Sequence, residues 1–140
     1  MISPTGLGIR SDDAGDGHFG SLREDHVHKG TDWLAIPGQP LIMPITRGRI
    51  GRIAWPYKVN GNYRGVEIQG YERGLGDVVI KLFYMVPFQI VPDQQQGAII
   101  GFAQDISKKY EGVPMNPHIH MEVRQNGRLI NPETLLQMEV

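Results

Sequence analysis

With 140 residues, 40% of them hydrophobic and 21% charged, the chain suits a single small domain that buries its own core. A net charge of −1 gives no strong pull toward nucleic acid or an anionic membrane surface, and no stretch approaches the roughly eighteen apolar residues of a membrane span. The absence of cysteine excludes disulfides and thiolate ligands, so any zinc must be held by imidazole and carboxylate.

The opening Met1-Ile2-Ser3-Pro4-Thr5-Gly6 has no basic stretch followed by an apolar run and does not read as a secretory signal. The expectation is a cytosolic product, or one that reaches its place of work by lysis or by packaging in a virion. From Ser3 to Gly20, Gly6, Gly8, Gly15, Gly17 and Gly20 alternate with Asp12, Asp13 and Asp16, which disfavours a helix and a central strand alike. Residues 1–36 thus read as a loop-rich leading segment and 37–140 as the β core of the same domain. Short β-prone runs follow at Pro40 to Met43, Gly48 to Trp55, Gly65 to Gln69 and Val78 to Tyr84. Pro44, Gly48, Asn60-Gly61-Asn62 and Gly74-Leu75-Gly76-Asp77 separate them, as the turns of antiparallel hairpins do. Asp105 can cap a short helix over Ile106 to Tyr110 that stops at Gly112. Asn131 can cap another, with Pro132 at its first position and Glu133 in its first turn. The expected fold is mostly β: one domain with a curled antiparallel β-sheet and short helices.

Three of the five histidines fall in two signatures, His28-Lys29-Gly30-Thr31-Asp32 and His118-Ile119-His120, the latter inside Asn116-Pro117-His118-Ile119-His120-Met121-Glu122. Together they supply three imidazoles and a carboxylate, enough for one zinc site with a ligand or base to spare. On a strand, residues i and i+2 share a face, so His118 and His120 point together while Ile119, Met121 and Val123 face the core. Two adjacent imidazoles are costly to bury without a shared ion or proton. One of them can bind the metal while the other faces the open coordination position. Gly30 argues that His28 and Asp32 meet through a turn and not on a helix. The joint occurrence carries the signal, because the lone pattern is cheap: His26-Val27-His28 repeats it. His18 and His26 read as bystanders, His26 at the rim of the cleft. Arg10 and Arg23 read either as solvated charges or as groups that orient the leading loop or contact substrate, and stay outside the candidate site. Glu122 shares the histidine face and is either the partner that fixes a histidine tautomer or a surface carboxylate.

The order of these pieces resembles the lysostaphin/LytM-type zinc endopeptidases, which cut peptide bonds in bacterial peptidoglycan. The matching residues run nearly end to end: Gly17-His18-Phe19-Gly20, Arg23 and His28 to Asp32; Pro37 to Pro40, Pro44, Gly48 and Ile50; Gly97 and Gly101; Pro117 to Glu122, Gly127 and Asn131-Pro132. The resemblance implies a small antiparallel β domain with zinc at the floor of an open groove and a peptidoglycan peptide as substrate. It implies His28, Asp32 and His120 as ligands, and His118 as the general base.

The chain departs from that family at one place. Active members carry a further histidine on a central strand, in a Tyr-x-His-Leu segment, where it helps to hold the scissile carbonyl or the developing oxyanion. Here the stretch is Lys81-Leu82-Phe83-Tyr84-Met85-Val86-Pro87, and no histidine occurs between His28 and His118. This Phe-Tyr-x-x-Pro form is chemotaxin-like, similar to a vertebrate member regarded as a non-peptidase zinc protein, and similar forms occur in phage and bacterial members. Losing one oxyanion donor costs roughly two to three orders of magnitude in rate, and Tyr84 reads either as a phenolic donor in its place or as a core aromatic with its hydroxyl at the surface. Three functions compete at this point. The first is a zinc-dependent peptidoglycan endopeptidase, possible for a phage-encoded virion or lysis protein. The second is a zinc-stabilised binding or structural module, with phage tail or cell-wall partners. The third is a β domain whose histidines hold no metal.

Overall fold

The computed structural model describes every residue except Glu24, Asn60, 89–92 and 137–140. Asn60, the first residue of the expected Asn60-Gly61-Asn62 turn, lies outside the described residues. The chain forms β1 (Ser11–Asp12), β2 (Gly15–Asp16), β3 (Thr31–Leu34), β4 (Pro40–Ile42), β5 (Arg47–Ala54) and β6 (Gly65–Glu72). It continues through β7 (Gly76–Phe83), β8 (Met85–Pro87), β9 (Gln94–Gln95), β10 (Ile99–Ala103), β11 (His118–Gln125) and β12 (Arg128–Ile130). All pairings are antiparallel.

A large sheet runs β12-β11-β7-β6-β5-β9, with β3 joining it along β11. A smaller sheet runs β4-β10-β8, and β1 and β2 form a separate ribbon. The period-two pattern places Val66 and Ile68 of β6, Val78, Ile80 and Leu82 of β7, and Ile119, Met121 and Val123 of β11 on one buried face. There they meet Leu41 of β4, Met85 of β8 and Ile100 of β10 in one apolar cluster. The opposite face of β11 therefore carries His118, His120, Glu122 and Arg124.

Local structure differs from the sequence reading in two respects. Gly48 lies inside β5 and does not make a turn. A Cβ there would come within 2.8 Å of Ile68 and 3.1 Å of the Met43 sulfur, so the glycine serves close packing. Both expected helices are 3-10 turns, at Ile106–Tyr110 and Pro132–Leu135. The caps are as expected, with Asp105 accepting from the Ser107 N–H and Asn131 from the Glu133 N–H, but five and four residues are too few for α-helices to hold without packing. No helix among the described residues is long and apolar enough to cross a membrane.

The leading segment is bound into the large sheet. β3 pairs with β11 in the register His118↔Leu34, Ile119↔Trp33, His120↔Asp32 and Met121↔Thr31. Gly30 permits that approach, because a Cβ at this position would lie 2.2 Å from the Met121 carbonyl oxygen. Gly30→Ala is therefore expected to force β3 away from β11 and to cost about 1–3 kcal/mol, in the range of overpacking. The loss should appear as a lower urea midpoint at constant slope; an unchanged midpoint would show that the two backbones are not in such close contact.

Candidate metal centre

The β3–β11 register sets Asp32 directly opposite His120. His120 Nδ1 lies 2.9 Å from Asp32 Oδ1 and 3.2 Å from His28 Nε2, and His28 Nε2 lies 3.3 Å from Asp32 Oδ1. Bonds of about 2.0–2.1 Å to a tetrahedral metal separate ligand atoms by about 3.3 Å, so the three atoms already span one face of such a polyhedron to within a few tenths of an ångström. Imidazole, imidazole and carboxylate also form a donor set suited to a borderline divalent metal. These residues could hold a metal ion together.

The far side of each ring is tied down in a way that fixes which nitrogen faces the site. His28 Nδ1 donates to the His18 carbonyl at 3.1 Å, leaving Nε2 toward Asp32. His120 Nε2 donates to Glu122 Oε2 at 2.9 Å, and Glu122 Oε1 accepts from Arg124 at 2.9 Å. His118 Nδ1 donates to the Asn116 carbonyl at 2.8 Å, which leaves Nε2 with a free lone pair 3.7 Å from Asp32 Oδ2. Three tautomers are thus set by three acceptors outside the site. Glu122 occupies the tautomer-fixing place and not a free surface position.

Arg10 departs most from the sequence reading. It is 3% exposed, and its guanidinium reaches Asp32 Oδ2 at 3.3 and 3.4 Å and Asp12 at 2.7 Å. The outer oxygen of Asp32 is therefore anchored, and the inner one is aimed at the histidines. No local pattern announces this pair, because 22 positions separate the partners. Arg23 and His26 lie along the rim of the same cavity, and His18 contributes its carbonyl and not its ring.

Burial and charge act in opposite directions on these groups. Burial pushes the Asp32 carboxyl up, but hydrogen bonds from His120 and His28 and the neighbouring positive charge outweigh it, so the carboxyl sits well below its ordinary range. Burial alone would lower His120; its bonds to Asp32 and Glu122 prevail and raise it to about 9. Glu122 falls to about 2, because the bonds from His120 and Arg124 overcome its burial. His118 moves the other way: burial lowers it, with Asp32 opposing only in part, so its imidazole is neutral at pH 7.

A cavity of about 380 Å³ opens over these groups, walled by Tyr57, Tyr84 and Tyr110. Tyr84 reaches it because its φ of 71° ends β7 and separates it from β8. Val86, at the place of the family histidine, pairs with Phe102 on β8, is 37% exposed and is not among the cavity-lining residues. A larger hollow of about 780 Å³ lies farther along the same sheet face, over Arg49, Glu67, Gln69, Lys81 and Arg124. Its arginines are engaged by neighbours, Arg47 by Asp93, Arg49 by Gln69 and Arg124 by Glu122.

A small antiparallel β fold with a buried His-Asp-His triangle and a bare imidazole beside it defines a protein of the lysostaphin/LytM class. The chain belongs to the lysostaphin/LytM-type family. It is 32% identical over 112 residues to leukocyte cell-derived chemotaxin-2 of Bos taurus, covering 79% of this chain and 69% of that protein. Its fold matches Csd3 of Helicobacter pylori with a TM-score of 0.64 and 22% identity, over 99% of this chain and 36% of that one. Lysostaphin matches with a TM-score of 0.55 and 19% identity, over 94% of this chain and 52% of lysostaphin. A mutant catalytic domain of the prophage-encoded M23 protein EnpA from Enterococcus faecalis matches at 0.50 and 19%, over 94% and 88%. The chain thus spans about a third of Csd3 and half of lysostaphin. No protein-family model matches it.

Two outcomes test the metal centre. With His120 raised to about 9 in the metal-free protein, its Nδ1 holds a proton at neutral pH that a metal must displace. Apparent metal affinity should therefore fall as pH drops below about 9, approaching tenfold per unit, with about one proton released at pH 7. Calorimetry in buffers of different ionisation enthalpy reads that proton directly. Glu122→Gln should weaken metal binding about 10–100-fold, as loss of a tautomer-fixing partner does; equal affinity in a chelator competition would remove Glu122 from the site.

Proposed function

We propose that this chain is a zinc-dependent endopeptidase that hydrolyses peptide bonds in bacterial peptidoglycan. The observation that carries the reading is His118: a neutral imidazole, fixed by Asn116, with a bare Nε2 beside the ligand triangle. A structural metal site has no use for such a group at its open side. His28, Asp32 and His120 would hold the metal, and zinc suits this nitrogen and oxygen donor set. When bound, zinc supplies Lewis acidity, which acidifies water and polarises a carbonyl.

The rest is the work of the chain. His118 Nε2 takes a proton from the attacking water as general base, and its neutrality at pH 7 makes it competent to do so. The Nδ1–H···O=C bond to Asn116 steadies the ring as it becomes positive, and Asp32 lies close enough to favour that charge. Arg10 keeps Asp32 ionised and aimed. Tyr84, on the cavity wall, offers an O–H to the substrate in place of the absent histidine. Delivery by lysis or from a virion, with phage partners, belongs to the same proposal.

Val86 favours a second reading, a zinc-holding binding module without turnover, because the usual second imidazole is missing and its position faces away from the cavity. The two separate cleanly in one experiment. Zinc-loaded protein is incubated with purified Gram-negative and Gram-positive peptidoglycan, and released muropeptides and new amino groups are followed by mass spectrometry. Cleavage is expected at about 10²–10³ below a fully equipped enzyme, abolished by chelation and by His118→Ala while the latter keeps its metal. Full zinc occupancy with no cleavage of either wall would establish the binding module.

A further inference from the structure

The cavity wall contains more hydroxyl chemistry than one tyrosine. Tyr57 Oη lies 2.9 Å from Tyr110 Oη and 3.4 Å from Tyr84 Oη. The Tyr57 and Tyr84 rings stack at 6.3 Å, and Tyr63 meets both edge-on at the same distance while its own hydroxyl donates to the Asp105 carbonyl. The three linked phenols are thus held from outside by a fourth ring whose hydroxyl is already committed.

Tyr84 is placed at one end of this row by an imposed backbone conformation. A φ of 71° is a true outlier for an aromatic residue and persists only where the surroundings over-determine it. The Arg64 carbonyl accepts from both the Tyr84 and the Met85 N–H, at 2.7 and 3.1 Å, and the Gln104 N–H donates to the Tyr84 carbonyl at 2.8 Å. As a result two successive rings address the two histidines: Phe83 stacks on His120 at 5.8 Å, and Tyr84 stands edge-on to His118 at 5.6 Å.

Counting protons gives the chemistry. Three phenols carry three hydroxyl protons, and the two contacts within the row use two of them. Among the described residues, neither the Tyr84 nor the Tyr110 hydroxyl has another hydrogen-bond partner. One O–H is left for a group arriving in the cavity. The Lys109 ammonium lies 4.5 Å over the Tyr57 ring and 5.3 Å from that of Tyr110, which polarises those two phenols as donors. Either oxygen can donate in each contact; with the protons running from Tyr110 to Tyr57 to Tyr84, the remaining O–H is that of Tyr84, whose ring stands edge-on to His118. Burial pushes Tyr84 up to about 12, so the hydroxyl stays protonated at working pH. A surplus donor on the wall of this open cavity can serve an arriving acceptor oxygen, above all one that gains negative charge.

We infer that Tyr57, Tyr84 and Tyr110 act as one hydrogen-bond donor for the peptide oxygen that becomes negative on attack. Tyr84 presents the O–H, and Tyr57 and Tyr110 are positioning residues. The identity of that oxygen rests on the endopeptidase reading; the donor itself does not. The test uses the full, zinc-loaded chain and a phosphinic diglycine analogue, whose tetrahedral anion mimics the attacked carbonyl, with binding followed by calorimetry. Tyr84→Phe should weaken the analogue about 10–100-fold, the loss of a hydrogen bond to a charged group, with bound zinc unchanged. Tyr57→Phe should come close to that loss, and Tyr57→Phe with Tyr84→Phe should be no weaker than Tyr84→Phe alone, the non-additivity of a shared unit. Tyr110→Phe should cost several-fold. Failure of the parent protein to bind the analogue, unchanged affinity in all three variants, or losses that multiply in the double variant would each overturn the assignment. Peptidoglycan left intact by a protein that shows the expected pattern would remove the hydrolytic reading and leave the donor unit standing.

Discussion

Asp32 and His120 face each other across the β3–β11 pair, and most of the site follows from that single register. A one-residue slip of β3 would turn Asp32 to the other face of the sheet, where Ile119, Met121 and Trp33 fill the core. The pairing holds because the core faces of both strands are apolar and because Gly30 lets the β3 backbone come up against Met121. His28, four residues before Asp32, is then carried to within 3.2 Å of His120. The geometry of the candidate ligands is thus a by-product of sheet register.

The electrostatics around that pairing are those of a buried charge that must be compensated. Asp32 is removed from water and answered on one side by Arg10 and on the other by histidines. Such a cluster is costly without its partners, and the two basic sides are unequal. Arg10 is permanently charged and also held by Asp12, so it orients the carboxylate without being able to give up a proton. The proton that His120 holds toward Asp32 can be exchanged for a metal. This division lets one carboxylate serve as a structural ion-pair partner and as a candidate ligand.

The cavity wall shows a different economy. The family's second imidazole is absent, yet the chain keeps a strained aromatic residue, Tyr84, at the edge of the site and surrounds it with hydroxyls. Strain of this kind marks a position where placement of a side chain takes precedence over backbone comfort. Val86, two residues on, is turned onto β8 by the same distortion. On the proposed reading, recognition on this surface is built from phenols where imidazole would otherwise stand.

Composition and pattern were enough to read the β class, the strand runs around β5 to β7, the capping residues Asp105 and Asn131, and the common face of His118 and His120, because each depends on neighbours within a few positions. The family likeness was likewise legible, since it rests on short signatures in order. What the chain could not reveal from its sequence is long-range: Arg10 meeting Asp32, and three tyrosines from separate segments joining at Tyr57. The strand break at Tyr84 was equally hidden, because its cause is the carbonyl of Arg64, on the preceding strand's approach, and the N–H of Gln104 beyond β10. Residue types and spacing determined which groups were available for metal chemistry. Only the folded sheet decided which of them meet, because the pairing of distant strands, and not local propensity, sets distances across 88 positions of chain between Asp32 and His120.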